Sequence, residues 1–557
     1  MNVRHLGIDV DRYLKFILLP SLMGSLILFV VMYFVLYSML EPFGTFRILF
    51  LAVPIFIVLP ALLYIKMIEM RMKNEIDNNI HFYITHMGTL STSEIDRKEL
   101  MKILSERSEY KALAEETRKI FLLMSKWRRN LAQACRFIAK RTPSKIFSDF
   151  LDRMAHELDS GEDFKEFIKR EQKVVMEDYV TLYNGKMYSI DIFKEIYVSI
   201  VLSLSFFAAF AIIMPFLTGI NVTTTIYLVM IFFFITEAGV LVYLKAVVPE
   251  DPLWQTSGEY TVTDRKIYRI FTITLLVFLG LFSALLYANY VLKLIDLPFT
   301  FLVAIAITPF LIPGFVARKE EKLISEKDRN APSFIMSLGA SSSARGGNIL
   351  ESLKYLTAHD FGALTEDVMA LYRRLSSRIN KKRAWEKFAI STNSNLIYRF
   401  TDMFVEAISL GAEPIDVAEI VSSNFITINN LRKRRSQTTS SFIGIAYGVI
   451  IGISFALYIS FGVVESMNNL YSSLEIPTDM IGSILHVVPP EDLTFVSRLI
   501  ALLMLIHAVL STVAIKIMDG GKVIAGLVHT VGMMWVAAIS AYVSQTTITS
   551  LLNIGGV

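Results

Sequence analysis

With Cys135 as the only cysteine among 557 residues, the chain can form no disulfide within itself. Charge is scarce too: 19% of residues are Asp, Glu, Lys or Arg, against about 25% in a globular domain. A nucleotide site is missing. No GxxxxGK[ST] occurs, and Gly520-Gly521-Lys522 lacks both the upstream glycine and the following Ser or Thr of a phosphate cradle. The eight histidines form no HExxH, and His81 and His86 are five apart, off register for one helical face. There is no GxSxG. The long apolar runs hold no aspartate, which excludes the paired intramembrane carboxylates of an aspartyl protease. Acidic residues interleave with the basic ones and no aromatic-basic motif is present, so nucleic acid is not expected as a partner. The sequence thus predicts no catalytic residue, no cofactor and no metal site.

What the chain has in quantity is apolar sequence. It is 54% hydrophobic with a mean hydropathy of +0.50, and the apolar residues are segregated. Charge-free runs occupy Phe16–Leu40, Ile48–Ile65, Ile196–Thr236, Ile270–Leu292, Leu297–Ala317, Ser436–Val464, Leu499–Ile515 and Val523–Val557. About 20 such residues cross the roughly 30 Å of a hydrocarbon core. The run from Ile196 is twice that length and is divided by TGINVTTT, giving nine spans in all. The first run is too long for a cleaved leader, and no small-residue cleavage pattern follows it. The segments 66–195 and 318–435 are rich in Lys and Arg, which are retained on the cytoplasmic side. The loop 465–497 carries Glu465, Glu475, Asp479, Glu491 and Asp492 with no Lys or Arg, which suits the outside. Alternation through nine spans then puts the N-terminus inside and the C-terminus outside. A glycosylation sequon, Asn221-Val222-Thr223, falls in a short outer loop.

The two charged segments repeat one another. Residues 142–161, TPSKIFSDFLDRMAHELDSG, answer 392–411, TNSNLIYRFTDMFVEAISLG. Ile146/Leu396, Phe147/Ile397, Phe150/Phe400, Met154/Phe404 and Leu158/Ile408 form one apolar helical stripe in each copy. Thr142 and Thr392 are the predicted N-caps, with Pro143 at the first helical position of one copy. Gly161 and Gly411 follow at the C-terminal ends, where a left-handed residue is wanted. From Arg128 and Arg378 onward, nine of thirty-four aligned positions are identical, among them Asn130/Asn380, Ala134/Ala384, Ser144/Ser394 and Asp152/Asp402. Upstream, KALAEET at 111–117 echoes GALTEDV at 362–368, and FYITHMGTLS at 82–91 echoes FIMSLGASSS at 334–343.

The predicted architecture is therefore an all-α polytopic membrane protein with a tandem parallel duplication. Residues 1–65 hold the N-terminal segment and spans 1–2, 66–195 the first cytoplasmic helical-bundle domain, and 196–268 spans 3–4 with a cytoplasmic loop. Residues 269–317 hold spans 5–6, 318–435 the second helical domain, and 436–557 spans 7–9 with the acidic outer loop.

Leu131, Ala134, Cys135 and Ile138 share one face of a helix, which makes Cys135 a core residue, while Arg129, Arg136 and Lys140 share another. In the second copy Arg374, Arg378 and Lys382 line up at i, i+4, i+8. Such faces are commonly plain solvated surface, and their recurrence in both copies raises the alternative of an acidic protein partner. Glu237 is the acid deepest inside a span, placed there either for pairing with another span or for coupling or ion handling.

This plan resembles the type II secretion F-domain family, the inner-membrane platforms of type IV pili, type II secretion systems and archaella. HFYITHMGTLSTSEIDRKEL, YKALAEETRKI, ACRFIAKRTPS, MAHELDSGEDFKEFI and the outer turn PFLTG are similar to the archaellum members in particular. The second copy departs more, as in Asn393 for Pro143. The resemblance implies a non-enzymatic platform in the cell membrane of an archaeon, coupling a cytoplasmic hexameric ATPase to the insertion of prepilin-like archaellin subunits and to rotation. It implies contact of that ATPase with the basic faces and with Asp152 and Asp402 opposite the buried stripes, leaves room for a homodimer, and makes Gly161 and Gly411 structural. The platform of an adhesion pilus or of a type II secretion-like system is the alternative. A secondary transporter is a third reading, with only Glu237 in its favour.

Overall fold

A computed structural model describes residues 13–31, 33–34, 55–220, 222–295, 297–473 and 489–553. Among these residues everything regular is helical, and the only extended pairing is a single antiparallel bridge between Trp254 and Ser394. A π-turn at Leu14–Leu18 leads into α1 (Leu19–Val31). The first charged block comprises the C-terminal end of α2 (Ile55–Ser91), then α3 (Arg97–Glu106), α4 (Ala112–Ser125), α5 (Leu131–Ala139), α6 (Lys145–Asp159) and the start of α7 (Phe164–Thr218). After α8 (Val222–Val247), α9 (Val262–Leu286) and α10 (Phe299–Ile307) the plan recurs. Its elements are α11 (Leu311–Ser343), α12 (Ile349–Leu356), α13 (Thr365–Ser376), α14 (Lys381–Ser391), α15 (Asn395–Ser409) and α16 (Pro414–Ser473). The chain ends in α17 (Pro490–Asp519) and α18 (Val523–Asn553).

Eight of the described helices are long and apolar enough to cross a membrane. The predicted span Ile48–Ile65 falls partly outside the described residues, as do residues 474–488 of the acidic loop at 465–497, and the sequon residue Asn221 lies outside them. In these helices apolar side chains such as Phe206, Leu228 and Leu276 stay exposed, 62–70% of their surface uncovered, as a lipid-facing surface requires.

The chain divides into two units, Met1–Tyr179 with Glu406–Ile420, and Val180–Val405 with Val421–Val557. In the first unit the apolar stripe of α6 is buried at Phe147, Phe150 and Met154, with Ile146 and Leu158 half-buried. Phe147 packs edge-on to Tyr83 of α2, whose hydroxyl accepts from Thr117 of α4 at 2.9 Å. In the second unit Leu396, Ile397, Phe400 and Phe404 of α15 are buried, and the Phe400 ring lies tilted against Phe425 of α16 at 4.9 Å.

The caps differ from the prediction by two residues. α6 is capped by Ser144, not Thr142, and α15 follows Ser394, not Thr392. The Ser144 hydroxyl accepts from Phe147 N at 3.3 Å and donates to the buried Asp77 carboxylate of α2. The Ser394 hydroxyl accepts from Ile397 N at 3.1 Å and donates to the buried Asp328 of α11. Each serine thus satisfies a helix start and a buried acid with one oxygen, which a residue two positions earlier could not reach. Thr392 closes α14 as its C-cap, and Pro143 lies outside α6 rather than in its first turn.

Left-handed residues punctuate both copies at matching places: Lys111 and Gly362, Arg128 and Arg378, Gly161 and Gly411, all with φ between +50° and +89°. Nothing crowds a Cβ at Gly161 or Gly411, so φ alone asks for glycine there. Asn393 sits at φ +58°, a value closed to proline, which is fixed near −65°. The exchange of Pro143 for Asn393 therefore reflects a different backbone leading into the second repeated helix.

The cap assignment makes a prediction. Ser144→Ala, losing the cap and one donor to buried Asp77, should cost about 2 kcal/mol, whereas Thr142→Ala should stay within about 0.5 kcal/mol. Denaturant titration of the full-length protein in detergent, followed by hydrogen exchange over residues 131–161, reads this difference. Equal losses would return the cap to Thr142.

Candidate functional site

The cationic surface of the first block is built on α5. Asn130 starts the helix by accepting from Gln133 N at 2.8 Å. Leu131, Ala134, Cys135 and Ile138 are buried, and burial pushes the Cys135 thiol up, far from the reactive thiolate range. Arg129, Arg136 and Lys140 are exposed. They do not act as one face. Arg136 donates to Asp159 at 2.7 Å, an exposed pair worth about 0–1 kcal/mol. Arg129 and Lys140 have no ion pair among the described residues, and with Arg141 they edge a groove of 1210 Å³ between α4 and α5. Its apolar lining includes Leu122, Leu123, Trp127, Phe137 and Ile138. Arg141 lies over the Phe137 ring at 3.6 Å.

In the second copy the predicted line of three cations is broken. Arg374 is half-buried on α13, Arg378 stands at φ +55° just past that helix, and Lys382 belongs to α14, capped anew by Asn380. A left-handed residue ends an α-helix, so i, i+4, i+8 spacing does not carry across it. Arg378 and Lys382 remain exposed. Asp152 is exposed opposite its stripe, but Asp402 is half-buried, because α15 buries Arg399, Thr401 and Met403 as well.

Three polar assemblies were invisible in the sequence, since each joins residues far apart in the chain, up to 320 positions for His86 and Glu406. In the first unit Glu406 meets block-one residues: its carboxylate is 2.8 Å from His86 Nε2 and pairs with Arg107, while His86 Nδ1 is 2.9 Å from the Tyr110 hydroxyl. Burial pulls the Glu406 carboxyl up, but His86 and then Arg107 outweigh it and hold it down at about 2. In the second unit Arg432 bridges Asp251 at 2.9 Å and Asp328 at 3.0 Å. Arg435 donates to the carbonyls of Asp251 at 2.8 Å and Ile517 at 3.1 Å, and Lys516 pairs with Glu321 at 2.7 Å. Around them the segment after α8 lies against the start of α15: Gln255 N donates to Asn393 O at 2.8 Å, and Asn395 N to Leu253 O at 3.1 Å. The third assembly lies within the spans. Glu237 of α8 is buried and 2.8 Å from His507 Nδ1 of α17, and Ser511 sits 3.1 Å from the Tyr197 hydroxyl of α7. Of the two readings open for Glu237, pairing with another span is what the geometry provides. Among the described residues no group of three or more His, Cys, Asp or Glu side chains is placed to hold a metal ion.

Two outcomes follow from these contacts. A carboxyl held low contributes stability that is complete above its ordinary value of about 4.3 and is lost as pH falls through about 2. Glu406→Gln should therefore lower stability at pH 7 and flatten the acid limb between about pH 4.3 and 2, read by unfolding midpoints across that range. Parallel pH profiles for both proteins would refute the assignment. Within the spans, Glu237→Ala strands buried His507 and should cost about 3–5 kcal/mol, while the joint change Glu237→Leu with His507→Leu should cost far less. Thermal unfolding of the single and double variants in detergent gives the coupling; simple additivity would mean that the two side chains do not depend on each other.

Comparison with known proteins places this geometry in context. The family described as type II secretion system (T2SS), protein F, matches residues 83–212, from α2 of the first block into the span of α7. The flagella accessory protein J of Methanocaldococcus jannaschii is 40% identical over 552 residues, covering 98% of this chain and 97% of that protein. The flagella accessory protein J of Methanococcus voltae is 40% identical over 547 residues, with the same coverage. No solved structure matches the chain.

Proposed function

Because this chain belongs to the family of flagella accessory J proteins, multi-pass membrane proteins with a type II secretion F domain, we propose that it is the membrane platform on which an archaellum is assembled. One observation carries this reading: similarity at 40% identity runs through 98% of the chain, so soluble blocks and spans are shared together. The platform works without an active site of its own. A cytoplasmic hexameric ATPase docks on the two helical blocks, and its nucleotide cycle moves them. The spans pass that motion to prepilin-like subunits in the membrane, which enter the filament, and the same coupling turns it. In this arrangement the N-terminus and both blocks are cytoplasmic, and the C-terminus is outside.

The contact surfaces in this proposal are cationic: Arg129, Arg136 and Lys140 with exposed Asp152 on the first block, Arg378 and Lys382 on the second. Arg374 and Asp402, half-buried, contribute through the shape of their helices. None of the exposed cations is needed for a core. Each ion pair to a partner is worth only about 0–1 kcal/mol, so reversals must be combined.

The test is retention of the co-expressed ATPase by the detergent-solubilised full chain, at low and high salt. Reversal to Glu of Arg129, Arg136 and Lys140 together, or of Arg378 and Lys382 together, should weaken retention, mainly through slower association, and salt should do the same to wild type. Wild type that retains no ATPase, or retention that neither salt nor reversal changes, would remove the ATPase from the proposal.

A further inference from the structure

We infer that the groove between α4 and α5 is a seat for an acidic amphipathic helix, and that it exists on the first copy alone. The inference rests on the reading that a soluble component of the machine docks here, and it names what that component presents. Trp127 is 72% exposed and Phe137 46%, which is unusual for aromatic side chains in a water-facing block. Exposed aromatics beside arginine are the composition of a binding anchor. The rim is one-signed. Arg129, Lys140 and Arg141 edge the apolar floor, while Glu116 at the groove is paired with Lys119 at 2.6 Å. A negatively charged occupant with an apolar stripe complements both features.

Size agrees. A helix about 10 Å across and about 15 Å long, some ten residues, fills a volume of the order found here, 1210 Å³. The repeat supplies an internal comparison. At the positions aligned with Trp127, Arg129, Phe137, Lys140 and Arg141 the second copy has Ser377, Ile379, Lys387, Ile390 and Ser391. The aromatic pair and the rim charges are both gone, while the capping and core identities remain. Duplication would have produced two grooves; only one has its lining, so one chain seats one helix.

The experiment uses the full chain in detergent and two probes. The first is a side-chain-cross-linked helical peptide of about four turns, with Leu at i, i+3, i+4 and i+7 and Glu elsewhere, beside a version with Lys for Glu. Trp254 and Trp385 are buried and Trp535 is half-buried in α18, so Trp127 is the exposed tryptophan, and Trp127→Phe isolates the emission that reports the groove. The acidic peptide should shift Trp127 emission to the blue and saturate with one peptide per chain. Trp127→Ala, followed by a label on the peptide, should weaken binding about thirtyfold. Arg129→Glu with Lys140→Glu should weaken it at least as much and remove its salt dependence. Phe137→Ala serves as a second anchor variant. No binding, or equal binding of the basic peptide, would overturn the proposal.

The second probe is a photo-crosslinking residue at position 127 or 377 in cells that make the whole machine. Capture of an acidic helical segment of the ATPase from 127 and not from 377 is the expected result. Crosslinks from 127 to lipid or to a second copy of this chain would overturn it. If the ATPase binds wild type and ignores every groove variant, the inference fails and the platform reading stands. If the ATPase does not bind wild type, that reading loses its partner, and the peptide result decides the inference by itself.

Discussion

Each helical block depends on one buried contact, a serine hydroxyl shared between a helix start and an aspartate. Asp77 and Asp328 sit on α2 and α11, the helices that lead from spans into the blocks, and both are almost wholly buried. A buried carboxylate is tolerated only when donors meet it. In the first copy Ser144 provides one, and in the second Ser394 does, with Arg432 on the other oxygen. The same hydroxyls accept from the amides of Phe147 and Ile397, so the first turn of the repeated helix cannot form without setting its distance from the membrane-linked helix. The apolar stripes then have one register available, with Phe147 against Tyr83 in one copy and Phe400 against Phe425 in the other. Duplication preserved this joint although only nine of thirty-four positions in the repeat remained identical.

Beyond the joint, the copies diverge in the physics that surrounds it. The first copy surrounds its aspartate helix with rings: His81 stacks on Tyr179 at 4.1 Å, and Tyr83 meets Tyr110 and Phe147 edge-on. In the second copy Asn429 and Arg432 of α16 bond to Asp328, and Arg432 reaches on to Asp251 in the segment that follows α8. That segment hydrogen-bonds to Asn393 and Asn395, which is why the chain there adopts φ +58° and why proline is not found. Directed ionic and backbone bonds fix geometry more narrowly than ring packing does, because charge-assisted contacts weaken steeply with misalignment. The second repeated helix is thereby tied to the ends of α8, α16 and α17 at the edge of the spans, through Asp251, Arg435 and the carbonyl of Ile517.

How much of this was legible in the sequence follows from range. Local periodicity located the stripes, since Phe150, Met154, Phe400 and Phe404 lie at helical spacing and are buried. Residue chemistry located Gly161 and Gly411, because few other residues take a left-handed φ without cost. The caps were misassigned by two positions for a nonlocal reason: Thr and Ser are equally good caps in isolation, and only the buried aspartate 66 or 67 residues upstream favours the serine. The line Arg374, Arg378, Lys382 failed because helical spacing was extended through a residue whose backbone ends the helix. Glu237 was visible as a costly charge, but His507, 270 positions on, could be identified only in three dimensions.

The distribution of polar groups bears on how the proposed platform would pass motion from its helical blocks to its spans. α7 and α16 are 55 and 60 residues long and run from the charged block into an apolar span as single helices, each about 80–90 Å at 1.5 Å per residue. α7 has no proline before Pro215, three residues from its end. An unbroken helix is the element through which the proposed platform would pass displacement from block to span. There α7 meets the Ser511 hydroxyl through Tyr197, beside the Glu237–His507 pair that joins α8 to α17. Apolar helices slide on one another at little cost, since lipid and leucine are similar surroundings; hydrogen-bonded polar groups do not, because each would be left unsatisfied. In the proposed platform the buried Glu237, His507, Ser511 and Tyr197 would therefore oppose slippage among spans, so that motion of α7 would be shared with α17.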